Sequence, residues 1–151
     1  MSYNDDDLGY LLNKASRFTK WELNNKLGEI GLTSSQWEVL KDLYMYEKME
    51  DDNVNHTPAS IAQRLRYDRP TISGIIERLV KQGWAYRVMN TSDRRSHMIM
   101  LTDKARWLMP KMEGLRDNAI QEAIKSFNKS ELVELKKYLS RIINNFDEQV
   151  V

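Results

Sequence analysis

Apolar residues return every three or four positions along most of the 151-residue chain, and only three prolines and six glycines interrupt them, which predicts a mainly helical fold. Leu8, Leu11, Leu12, Ala15, Phe18, Leu23, Leu27 and Ile30 trace a long first helix ending at Gly28 or Gly31. Thr33-Ser34-Ser35-Gln36 is a capping box, opening a second helix with Trp37, Leu40, Leu43 and Tyr44. Residues 47–56 carry four carboxylates without a period and read as a solvated loop. Thr57-Pro58 then starts a short third helix over residues 59–65, because threonine caps and proline gives up an amide that had no partner there. Asp68 caps a fourth helix, with Pro70 in its first turn and Ile72, Ile75, Ile76, Leu79 and Val80 in one stripe. Its opposite face carries Arg69, Thr71, Ser73, Gly74, Arg78 and Lys81, which must meet solvent or a partner.

Beyond Gly83 the period changes. Residues 84–88 favour a strand, residues 90–95 form a polar turn, and a second alternating run places His97, Ile99 and Leu101 on one face, which together make a hairpin. Helical spacing resumes after Thr102 and continues to Phe127 across Pro110, where a kink is expected. A second capping box, Asn128-Lys129-Ser130-Glu131, opens a final helix along Leu132, Leu135, Leu139, Ile142, Ile143 and Phe146. Short helix, tight turn, helix, strand, basic turn and strand, in that order, are what a winged helix-turn-helix requires. The expected architecture is mainly α with a small β-hairpin wing. A winged helix-turn-helix core at residues 33–102 is joined to dimerisation helices in residues 1–32 and 103–151.

Charge sharpens this picture. The whole chain has a formal charge of only +1, with 23 basic and 22 acidic residues. Residues 58–104 nonetheless hold nine Lys and Arg against four Asp and Glu, a net of +5, whereas the remainder holds fourteen against eighteen, a net of −4. Clustered cations displace condensed counterions together, so the basic segment suits a polyanion and makes double-stranded DNA the expected partner. Cysteine is absent, which removes disulfides, thiolate zinc sites, thiol nucleophiles and thiol-based switching. The acidic beginning MSYNDDD and the lack of a long apolar run point to a soluble, cytoplasmic protein without a membrane span, nucleoid-associated if it binds DNA. No phosphate loop, nucleophile elbow or paired carboxylate stands out, so no enzyme, cofactor or metal is expected.

The segment Asp93-Arg94-Arg95, five residues and then Leu101-Thr102 resembles the wing signature of MarR-type transcriptional regulators, Asp-x-Arg separated by five residues from Leu-Thr. Leu79-x-x-x-Gly83-Trp84-x-x-Arg87 is similar to that family's passage from recognition helix into wing. A helix ahead of Gly31-Leu32-Thr33-x-x-Gln36, the central winged helix and two terminal helices extend the likeness over nearly the whole chain. The resemblance implies that the Asp93 carboxylate orients the Arg95 guanidinium and stiffens the hairpin. It also implies that Arg94, at the tip, enters the minor groove or meets phosphate. Arg69, Pro70, Thr71, Ser73, Gly74 and Arg78 fall on the matching recognition helix. Of these, Thr71, Ser73 and Arg78 are expected to contact bases or phosphates, and Gly74 to permit close approach. Ser60, Gln63 and Arg64, on the preceding helix, are weaker candidates for backbone contacts. The sequence departs from the family at Ala105, where glycine is common, and in the long acidic loop at residues 47–56.

The first helix and the last two are too apolar to be satisfied by a small winged-helix core, which favours a homodimer whose two recognition helices read a pseudo-palindrome. The resemblance further implies a repressor released by a small-molecule effector, with Trp37 the residue to watch for a pocket. Two rivals are a winged helix that binds protein without a specific DNA target, and a helical small-molecule-binding protein.

Overall fold

The computed structural model describes residues 7–49, 55–91, 93 and 95–147. Six helices and one hairpin follow in order: α1 (Leu8–Leu27) with a 3-10 turn at Gly28–Ile30, α2 (Ser34–Lys48), α3 (Pro58–Leu65), α4 (Arg69–Lys81), β1 (Ala85–Met89), β2 (His97–Leu101), α5 (Asp103–Ala123) and α6 (Lys129–Asp147). Each helix begins where a side chain accepts an amide that has no partner within the helix. Asp7 accepts from Tyr10 N at 3.0 Å, while Asp5 and Asp6 lie outside the described residues. Thr33 accepts from Gln36 N at 3.2 Å and Gln36 Oε1 accepts from Thr33 N at 2.9 Å, completing the capping box. Thr57 caps α3 and Thr102 caps α5. Asn128 and Glu131 exchange the same reciprocal pair of bonds at 2.8 and 3.0 Å.

Helix ends are equally local. At the end of α4, Gly83 takes φ 79°, and the amides of Gly83 and Trp84 donate back to Val80 O and Leu79 O at 3.1 and 2.9 Å. The turn between α3 and α4 closes in the same way around Arg66 at φ 57°, with Tyr67 N donating to Ala62 O at 3.0 Å. Tyr67 Oη then donates to Glu38 Oε2 at 2.5 Å, fastening that turn to α2.

One core joins the elements. Ile61, Ile72, Ile75, Ile76 and Leu79 from α3 and α4 pack with Leu40 and Leu43 of α2, Ile99 and Leu101 of β2, and Ala105, Met109 and Met112 of α5. The four buried α4 side chains, at about 1.5–3 kcal/mol each, fix which face of that helix turns outward. The hairpin pairs Tyr86 with Met100 and Val88 with Met98, and Ile99 N also donates to His56 O at 2.8 Å, tying the chain ahead of α3 to the wing.

Two features differ from the sequence pattern. The acidic stretch begins as helix, because Arg106 of α5 reaches Glu47 at 2.7 Å and Lys48 sits 4.3 Å from the Tyr44 ring; residues 50–54 lie outside the described residues. Helix α5 runs across Pro110, as its spacing predicts; Pro110 lies on the exposed side while Met109 and Met112 anchor the other. His97 is exposed, and only Ile99 and Leu101 of its strand are buried. Among its residues α6 buries none, and α1 buries only Leu27, although α1 packs along α5.

Candidate nucleic-acid interface

The outward face of α4 follows directly from its buried stripe. Arg69, Pro70, Thr71, Ser73, Arg78 and Lys81 are exposed, and Gly74 is partly so. Asp68 holds the first turn with both carboxylate oxygens: Oδ1 accepts from Thr71 N at 2.8 Å and Oδ2 from the Thr71 hydroxyl at 2.7 Å. Those two bonds, the backbone one first, hold the Asp68 carboxyl below its ordinary pKa. A Cβ at Gly74 would meet nothing within 4 Å, so its small size answers to no neighbour within the protein.

The wing is braced through its backbone. Asp93 Oδ1 accepts from the backbone amide of Arg95 at 3.0 Å, and Asp93 O accepts from Ser96 N at 3.1 Å. The carboxylate therefore closes a tight local turn through the backbone amide two residues on. Asn90 N donates to Ser96 O at 3.1 Å at the base of the turn. Arg95 is left exposed. Arg94 lies outside the described residues.

The cations divide into two groups. Among the described residues Arg69, Arg78, Lys81, Arg87 and Arg95 have no ion-pair partner, and all five are exposed. Arg64, by contrast, is turned inward: Nε and Nη2 donate to Asp42, the latter at 2.6 Å, and Nη1 donates to Asn55 O at 2.5 Å. The Arg64 donors that would meet a phosphate are engaged here, holding α2, α3 and the preceding loop together. Of its helix neighbours, Gln63 is exposed and Ser60 partly so, with the Thr57 hydroxyl donating to Ser60 Oγ at 3.0 Å. Lys81 and Arg87 were absent from the site expected by resemblance.

Trp37 is partly buried against the core, with the Arg116 guanidinium 5.8 Å from its ring and its indole Nε1 without a hydrogen-bond partner. It lines an open recess of roughly 290 Å³ on α2, together with Glu38, Lys41, Asp42, Met45, Tyr46 and Leu65. His56 lies near this region. Burial and then the Arg64 charge push its pKa below the ordinary value, and its Nδ1 is buried without a partner. Among the described residues no cluster of three metal-ligating side chains occurs, and no helix is long and apolar enough to cross a membrane.

Comparison with known proteins agrees with this geometry. The MarR family model matches residues 32–97. YwoH of Bacillus subtilis strain 168, described as an uncharacterized HTH-type transcriptional regulator, is 32% identical over 105 residues, 70% of this chain and 71% of the relative. A MarR transcriptional regulator from Methanosarcina mazei Go1 superposes with a TM-score of 0.81 at 24% identity, over 93% of this chain and 96% of that one. The S. aureus MepR–DNA complex superposes at 0.79 and 23% identity, over 92% and 98% of the two chains. With its winged helix, its wing signature and a relative of this similarity, the chain belongs to the MarR family of transcriptional regulators.

Proposed function

We propose that this protein is a homodimeric repressor that binds a pseudo-palindromic operator through α4 and the wing and is released by a small molecule. The observation that carries the DNA-binding part is the set of five exposed cations, unpaired among the described residues, on and beside a helix whose opposite face is buried. Such a face can neutralise phosphates without first breaking an internal ion pair. A neighbour of the same fold is solved with DNA, which supports the same direction. Thr71, Ser73 and Arg78 then face base edges or phosphates, Gly74 lets the backbone approach, Arg69 and Pro70 stand at the entry of the helix, and Arg94 and Arg95 carry the wing. Ser60 and Gln63 flank the backbone.

Two copies are favoured by the uncovered apolar residues of α1 and α6, including Phe18, Trp21, Leu139, Ile143 and Phe146. Residues 1–32 and 103–151 form the dimerisation region in this reading, around the winged helix of residues 33–102. The recess at Trp37 supports an effector site beside α2, where a ligand that favours one spacing of the two recognition helices shifts the population away from the DNA-binding state. Enzymatic footprinting on genomic fragments tests the proposal. A protected site with two-fold symmetry, its half-sites about one helical turn apart, is expected. Uniform binding to every fragment, no stronger than that of a charge-matched control protein, contradicts it and favours a winged helix without a specific DNA target.

A further inference from the structure

Thr71 is the third residue of α4, exposed, in the part of a recognition helix that lies nearest the base edges. A threonine hydroxyl has one proton to donate and two lone pairs to accept with. Here the proton is already assigned. The Asp68 carboxylate is ionised at neutral pH and has none, so the 2.7 Å contact between Thr71 Oγ1 and Asp68 Oδ2 uses the threonine's own. The other carboxylate oxygen takes the Thr71 amide at 2.8 Å, which fixes the aspartate and leaves the hydroxyl little freedom to turn away.

We propose that Asp68 makes Thr71 an acceptor-only reader, which selects a base presenting an amino group in the major groove. This rests on the DNA-binding reading above and adds a direction of recognition to it. Adenine N6 and cytosine N4 present donors there, whereas guanine O6, guanine N7 and thymine O4 need a donor that Thr71 no longer has. Ser73, also exposed, makes no such bond among the described residues and can act either way. Asp68 is therefore a specificity-determining residue that acts through Thr71.

The hydroxyl's proton can be freed without removing the cap. Asparagine caps helices as well as aspartate does. In Asp68→Asn the amide oxygen keeps the Thr71 backbone bond while its NH₂ donates to Thr71 Oγ1, freeing the hydroxyl proton for a base. The test is selection from a randomised duplex pool with the full-length chain, its Asp68→Asn, Thr71→Val and Thr71→Ser variants, and circular dichroism to check their folds. The wild-type chain is expected to enrich A or C at one position of the half-site by about fivefold, the size of a single net hydrogen bond. Asp68→Asn should relax that preference, admitting G or T on the same strand beside A and C, because the hydroxyl then has both a free proton and a free lone pair. Thr71→Val should flatten it, and Thr71→Ser should keep it. If Asp68→Asn fails to fold, the contrast between Val and Ser decides. Identical preferences in wild type and variants overturn the role of Thr71 alone. Absence of any enriched sequence with the wild-type chain overturns the DNA-binding reading and this inference with it.

Discussion

The fate of individual charges depends on partners that sequence spacing does not reveal. Arg64 reads as one more cation on a DNA-facing helix, yet Asp42, twenty-two positions earlier, takes its guanidinium in a pair whose side chains are only 17% and 6% exposed. Removing Asp42 leaves a mostly buried, uncompensated cation, so Asp42→Ala should lower unfolding free energy by about 3 kcal/mol, measured by urea denaturation. A change below about 0.5 kcal/mol would show the pair to be incidental. His56 beside it gives a pH signature. Its folded pKa is lowered, so below the ordinary value of about 6.5 the unfolded chain binds the proton more readily, and stability falls as pH drops through that value. The melting temperature of the wild-type chain should therefore fall more between pH 7 and 5 than that of His56→Gln, and parallel curves would refute the assignment. Asp93 teaches the same lesson on a shorter range. The motif identified a bracing aspartate, but only the coordinates show the brace to be a backbone amide.

At the scale of elements, far more was legible. Caps and apolar stripes are local signals, and the capping boxes at Thr33 and Asn128, the proline start of α3 and the stripe of α4 all appear in the structure where the residues placed them. The end of α2 was not legible, because Glu47 stays helical through a bond to Arg106, fifty-nine positions away. Two glycines separate stability from binding. Gly83 sits at φ 79° with open space where a Cβ would go, so Gly83→Ala should cost about 1 kcal/mol through backbone strain alone. Gly74 is helical with equally open surroundings, so Gly74→Ala should raise stability by about 0.5–1 kcal/mol in thermal unfolding. The same variant should bind DNA more weakly, because the added methyl stands where the backbone approaches the duplex. Unchanged affinity would remove Gly74 from the interface.

For the molecule as a whole, a net charge of +1 conceals a basic winged helix joined to an acidic remainder, and apolar residues of α1 and α6 stay uncovered. The apolar spacing of those helices was evident from the sequence. What covers them was not, since a stripe facing a second chain and one facing a core have the same period. Sedimentation at micromolar concentration should show a dimer, and Leu139→Glu with Ile143→Glu should yield a folded monomer; a wild-type monomer would remove the symmetric operator from the account. The central claim, that α4 and the wing bind DNA through unpaired cations, is tested most directly by the salt dependence of duplex binding in the wild-type chain, Arg78→Ala and Arg95→Ala. The logarithm of the association constant should fall linearly with the logarithm of salt concentration, and each substitution should reduce the steepness by about one unit per arginine removed. Slopes identical to wild type in both variants, at unchanged affinity, would contradict it.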